Sequence, residues 1–151
     1  MILIFDLDDT LYQEHSFVLS GLRAVAQHGS TAYGLAPETS FAFMSDVLGR
    51  DGRGRIFNLW LRQHGLETRQ RVADCVKTYR HHQPDISIPQ DHLDLLGRLS
   101  ATYPLYLVTD GHKIAQKRKC EALKISPYFR RIFITHRFGI ANAKPSLHCF
   151  K

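Results

Sequence analysis

Three short stretches of the 151-residue chain are apolar without alternation: Ile2-Leu3-Ile4-Phe5, Leu105-Tyr106-Leu107-Val108 and Ile132-Phe133-Ile134-Thr135. Continuous apolar runs of this length are the pattern of strands buried on both faces, which implies a parallel sheet between helices. Before the second run, Leu93, Leu96 and Leu99 recur at helical spacing within residues 91–99. Between the second and third runs, residues 113–124 read as a helix that ends near Ser126-Pro127. Strand, helix and strand in this order make a right-handed crossover.

Residues 14–85 follow a different pattern, with apolar positions at helical spacing and Gly or Pro between the pieces. Helices are expected at 16–28 (Phe17, Leu19, Leu22, Val25), 37–48, 55–64 (Ile56, Leu59, Trp60) and 68–82 (Val72, Cys75, Val76, Tyr79). Phe41, Phe43, Phe57 and Trp60 are expected in the core of this small helical bundle. The reading is an α/β chain in which residues 1–13 and 86–151 form the sheet domain and residues 14–85 a helical insertion after the first strand. An insertion at that point hangs over the carboxyl end of the strands, where α/β sheets bind ligands.

Composition adds limits to this picture. With 44% hydrophobic and 23% charged residues the chain is too apolar for a disordered tail and too mixed for a fibre. No apolar stretch approaches the roughly 20 residues that cross a bilayer, and Asp6, Asp8 and Asp9 interrupt the only apolar start a signal peptide could use. A membrane is therefore not an expected partner. Cys75, Cys120 and Cys149 are odd in number and far apart, which points to a reducing cytoplasm and not to a disulfide framework or a zinc site. The net charge of +6 is uneven, because residues 113–151 hold ten Lys and Arg against Glu121 alone. A basic block can mark a nucleic-acid surface. No aromatic residues are interleaved to stack bases, so nucleic acid is not the expected partner and the block reads as a solvated helix face.

The sharpest chemical signal is Phe5-Asp6-Leu7-Asp8-Asp9-Thr10-Leu11, directly after the first strand. Alternate residues of an extended chain point the same way about 6.6 Å apart, so Asp6 and Asp8 can flank one bound group. Two carboxylates aimed at one spot repel unless a cation or proton intervenes. Such a pair suits a nucleophile beside Mg²⁺ with a second carboxylate exchanging a proton with the leaving group, although Asp-rich turns also arise simply to solvate a strand end. Asp9 faces away by alternation and reads as structural. His81-His82 with Asp85, Asp91 and His92 match no metal-binding helix spacing and read as solvated residues at a helix end. The loop Gly49-Arg50-Asp51-Gly52-Arg53-Gly54-Arg55 is either a connector or a basic flap over an anionic substrate, and adjacent His148 and Cys149 point too far apart for a catalytic pair.

At these residues the sequence resembles the haloacid dehalogenase superfamily. Its first motif, DxDx[TV], is matched by Asp6-Leu7-Asp8-Asp9-Thr10; its second, a strand ending in Thr or Ser, by Leu107-Val108-Thr109-Asp110-Gly111; its third, a Lys followed by Pro, by Lys144-Pro145. The resemblance implies a Rossmann-like parallel sheet with an inserted helical cap. It implies Asp6 as nucleophile and Mg²⁺ ligand, forming an aspartyl-phosphate, and Asp8 as general acid and then base, with its main-chain carbonyl on the metal. The Thr109 hydroxyl and the amides of Asp110 and Gly111 would hold phosphoryl oxygens, and Lys144 would offset the gathered negative charge. Because a dehalogenase needs no acid for its leaving halide, Asp8 turns the reading toward phosphoryl transfer, by a phosphatase of small phosphorylated metabolites or by a phosphomutase.

One feature departs from the family pattern. A fourth motif, acidic residues after a further strand, completes the Mg²⁺ site in the superfamily, and only seven residues follow Lys144. The expectation is a chain cut before that motif, with weak or no activity in this form, or a short form that completes its sheet with a partner. Without the further strands, residues 2–5 become an exposed apolar edge through which the chain could self-associate. Leu147 and Phe150 are expected to begin an amphipathic helix. The alternative to an enzyme is a non-catalytic module, derived from one, that binds phosphate or a partner.

Overall fold

A computed structural model describes all 151 residues. The element order is β1 (Leu3–Phe5), α1 (Glu14–Tyr33), α2 (Pro37–Asp51), α3 (Ile56–Gln63), α4 (Arg69–His81), α5 (Gln90–Thr102), β2 (Leu105–Thr109), α6 (Lys113–Ala122) and β3 (Arg131–Ile134). The chain divides into two compact units, one of Met1–Phe17 with Gln83–Lys151 and one of Val18–His82.

The first unit is built on a three-stranded parallel sheet in the order β1-β2-β3. Leu3 stands opposite Leu105 and Phe5 opposite Leu107, while Leu107 and Thr109 stand opposite Ile132 and Ile134. The α/β class expected from the apolar runs is the class found. Burial on both faces is most nearly reached in β2, where Leu105, Leu107, Val108 and Thr109 are buried and Tyr106 is half-buried. The strands β1 and β3 lie at the edges, and Ile2 and Ile4 keep 61% and 49% of their surface exposed. A one-sided neighbour leaves half of an apolar strand open to water, which is why runs of equal hydropathy differ in burial.

After Phe5 the chain leaves the strand and turns. Leu7 is fully buried, and its carbonyl accepts from the amides of Thr10 and Leu11. Asp9 takes the left-handed conformation (φ 54°) that Asp tolerates better than most residues, and its Oδ1 accepts from the amide of Glu14 at the start of α1. The turn residue expected to be structural thus secures the first turn of a helix.

The second unit consists of helices around Leu22, Val25, Ala26, Met44, Val47, Ile56, Trp60, Leu61 and Cys75, with Phe41, Phe43 and Phe57 packed at the margin. The helix α1 continues five residues beyond the expected end at His28, through Gly29, Ser30 and Thr31, which are poor helix formers. Tertiary packing supplies the reason. A Cβ on Gly29 would lie 2.5 Å from Trp60, so the absent side chain makes room for the indole against the helix. The extension stops at Gly34, whose φ of 69° suits glycine. The side chain of Thr68 caps α4 by accepting from the amide of Arg71. The expected loop begins only at Gly52, because residues 49–51 close α2, where Arg50 pairs with Asp46 and Asp51 on the surface.

Beyond β3 the chain forms short 3₁₀ turns at Thr135–Phe138, Ile140–Asn142 and His148–Phe150. The expected amphipathic helix from Leu147 is a single 3₁₀ turn, and both Leu147 and Phe150 remain exposed. Isolated turns have too few hydrogen bonds to hold an α-helix without a packed face. No helix in the chain is long and apolar enough to cross a membrane.

Burial separates the three thiols. Cys75 and Cys120 are buried, which pushes their thiols up to about 11 and about 12, while Cys149 is partly exposed. Because the thiolate is the nucleophile, iodoacetamide at neutral pH is expected to modify Cys149 first in the native protein. Peptide mass spectrometry finding Cys120 modified as fast as Cys149 would contradict this packing.

Candidate active site

The carboxyl ends of the three strands and the start of α6 meet at one place, the position where parallel α/β sheets carry their ligands. Asp6 follows β1, Thr109 ends β2 with Asp110 after it, and Thr135 follows β3. Lys144 arrives from the irregular segment beyond β3. Its Nζ donates to Asp6 Oδ1 at 2.8 Å and to the carbonyl of Val108 at 3.3 Å. Asp6 is 40% exposed and Lys144 31%, so the ion pair forms the open face of the site.

Asp110 secures that segment. Its Oδ1 accepts from Thr135 Oγ1 at 2.7 Å and from the main-chain amide of Lys144 at 3.1 Å. A carboxylate bonded to both a hydroxyl and a backbone amide fixes where the lysine side chain begins. The sequence suggests the amide of Asp110 as a functional group, but its side chain carries a positional role that spacing does not reveal.

Asp8 is held on both oxygens. Tyr12 Oη donates to Oδ1 at 2.7 Å, Lys119 Nζ to the same oxygen at 2.7 Å, and Gln116 Nε2 to Oδ2 at 2.8 Å. Gln116 Nε2 also donates to Thr109 Oγ1 at 2.7 Å, which links Asp8 to the end of β2. Thr109 is buried, and its own hydroxyl has only a 3.5 Å contact to the carbonyl of Asp110. Gly111 (φ 131°) suits this place on two counts. That conformation disfavours other residues, and a Cβ would sit 3.0 Å from the Gln116 side chain.

Asp6, Asp8, Thr109, Asp110, Gly111 and Lys144 are therefore gathered at one end of the sheet. Tyr12, Gln116 and Lys119 join them without having been singled out in the sequence. Gln116 and Lys119 lie three residues apart on α6 and share one helix face, but that spacing by itself does not mark them as part of a site. The basic block of which Lys119 is part is not uniformly solvated, because Lys119 is 3% exposed while Lys117 lies in a surface pair with Glu121.

Four carboxylates (Asp6, Asp8, Glu14 and Asp110) meet two ammonium groups (Lys119 and Lys144) in this network, a formal excess of two negative charges. A phosphate monoester would raise that excess further, so the donor set suits a hard divalent cation shared with phosphate oxygens. The chain holds no group of three or more His, Cys, Asp and Glu side chains arranged as a metal cage. The histidines considered in the sequence have other contacts: His81 with the carbonyl of Lys77, His82 with Ser20 and the carbonyl of Tyr79, and His92 with the carbonyl of Leu11.

The haloacid dehalogenase-like hydrolase profile matches residues 3–151. The glyceraldehyde 3-phosphate phosphatase of Methanocaldococcus jannaschii is 27% identical over 155 residues, covering 99% of this chain and 67% of the relative. Among solved structures, the magnesium-bound HAD-hydrolase YfnB from Bacillus subtilis superposes with a TM-score of 0.60 at 18% identity, over 91% of this chain and 64% of that one. The 2-haloacid dehalogenase of Pseudomonas syringae pv. Tomato DC3000 has a TM-score of 0.54 at 19% identity, over 92% and 65%. This chain thus spans about two thirds of the length of these relatives. A profile that runs from the first strand to the last residue, on the parallel sheet its three motifs implied, makes this chain a member of the haloacid dehalogenase-like hydrolase family.

Proposed function

We propose that the protein is a Mg²⁺-dependent phosphatase of small phosphorylated metabolites, acting through an aspartyl-phosphate on Asp6. The observation that carries this reading is Asp8: a second carboxylate two residues after the first, held by three donors beside it. Displacing a halide needs no acid, whereas cleaving a phosphate ester requires a proton for the departing alkoxide. The 27% identity to a glyceraldehyde 3-phosphate phosphatase supports the same direction.

In this mechanism Asp6 attacks phosphorus through a carboxylate oxygen while the P–O bond to the alcohol breaks. Asp8 gives its proton to the leaving oxygen. Asp8 then takes a proton from water as the water oxygen bonds to phosphorus and Asp6 departs as a carboxylate. Lys144 and the amides of Asp110 and Gly111 stabilise the phosphoryl oxygens, and the Thr109 hydroxyl, whose oxygen accepts from Gln116 while its own proton has only a long contact, is a further donor. Asp6, with the main-chain carbonyl of Asp8, would hold Mg²⁺, which when bound neutralises charge on the transferring phosphoryl group.

Hydrolysis of p-nitrophenyl phosphate and glyceraldehyde 3-phosphate by the 151-residue chain tests the proposal. Turnover is expected with Mg²⁺, a fall of at least about 100-fold with EDTA, and recovery when Mg²⁺ is restored. A folded, monodisperse chain that is inert with Mg²⁺ but binds inorganic phosphate would favour the non-catalytic binding module.

A further inference from the structure

We propose that Lys119 is a positioning residue for Asp8, acting with Gln116 to hold the acid/base carboxylate from the far side of the site. The proposal rests on the phosphatase reading and extends it to a residue outside the three motifs.

Lysine is almost never fully buried unless it is paired. Lys119 is 3% exposed, yet Lys117, two positions earlier on α6, shows that a solvated position was available close by. Its ammonium has three fixed surroundings. Asp8 Oδ1 lies at 2.7 Å, Glu14 at 3.6 Å, and the ring centre of buried Phe17 at 4.5 Å. Glu14 is bonded through its own amide to Asp9, so the first turn of α1 frames the ammonium from a second direction. Gln116, one turn earlier on the same helix, takes the other oxygen of Asp8 and has room to do so because residue 111 is glycine. With Tyr12 on Oδ1, the carboxylate of Asp8 has donors on both oxygens and one orientation.

The arrangement serves a definite moment of the reaction. When the ester P–O bond breaks, the proton moves from Asp8 to the alkoxide oxygen, and Asp8 becomes a carboxylate close to the phosphorylated Asp6. An adjacent buried ammonium compensates the charge that appears there, and it keeps the carboxylate aimed for the return proton from water. The benefit is largest where proton donation limits cleavage, which is the case for a basic leaving group.

Phenyl phosphate and p-nitrophenyl phosphate have similar shapes but different leaving groups. Phenolate has a pKa of about 10, like tyrosine, whereas p-nitrophenolate departs readily without a proton. The parameter kcat/KM reports the steps up to ester cleavage. Lys119→Met is expected to lower kcat/KM for phenyl phosphate about 100-fold and for p-nitrophenyl phosphate no more than about 5-fold. Lys119→Arg, which keeps the charge on a bulkier head, is expected to fall between Met and wild type with the same order of the two esters. Thermal melts establish which variants fold, and if the Met variant does not, the Arg variant is judged by the same ratio. Equal losses on both esters, or none on either, would reduce Lys119 to a structural ion pair and overturn the proposal. A wild type that cleaves neither ester would instead remove the phosphatase reading, and this proposal with it.

Discussion

Replacing Asp6 by Asn is expected to lower phosphate-ester turnover by at least about 10⁴-fold, the scale on which loss of a covalent nucleophile is felt. The amide has nearly the same shape, so the fold should survive, and Asp6 lies in the open face of the site where it is partly solvated. What disappears is an anionic oxygen able to bond phosphorus, while Lys144 Nζ is left facing a neutral amide oxygen in place of a carboxylate. Steady-state assay with p-nitrophenyl phosphate and Mg²⁺ measures the effect, and an unchanged thermal melt distinguishes it from unfolding. A variant retaining more than about a tenth of wild-type turnover would place the nucleophile elsewhere.

The second large effect concerns stability. Trp60→Ala is expected to cost about 3–5 kcal/mol, the usual range for emptying a buried aromatic site. Trp60 is fully buried in the helical unit, and its Nε1 has no hydrogen-bond partner, so the loss is one of packing and not of polar contacts. Gly29 offers no side chain to fill the space, and a cavity remains beside α1. Against a typical total of about 5–15 kcal/mol, such a loss approaches the whole stability of a small domain. Urea denaturation followed by circular dichroism measures it, and a change below about 1 kcal/mol would mean that the neighbouring helices close over the gap.

Much of this molecule is legible in its sequence, for reasons that differ from element to element. The strand β2 is readable because both faces are covered, so four apolar residues run together before Thr109. The acidic pair after β1 stands out because two carboxylates at alternate positions of an extended chain face one spot, and its place at the strand end follows from chain geometry. The continuation of α1 through Gly29, Ser30 and Thr31 is not readable, since local propensity opposes it and the deciding partner, Trp60, is thirty-one positions away. Lys119 is hidden for a similar reason. Within a run of lysines and arginines nothing local tells which ammonium turns inward, and only the fold brings Asp8 and Glu14 to it from more than a hundred positions earlier. Cooperation between a strand end and a distant helix face is a tertiary property, and periodicity carries no record of it.

Asp110 joins regular structure to irregular structure: one carboxylate oxygen receives both Thr135 and the amide of Lys144. The cation facing Asp6 thus hangs from a segment of short 3₁₀ turns, yet the amide at its root is bonded to a residue that directly follows β2. The stretch from 136 to 143 is thereby relieved of any duty to aim the ammonium. It is free to lengthen, shorten or acquire new surface chemistry, and the reacting end of the sheet would not register the change so long as the amide at 144 still reaches its carboxylate.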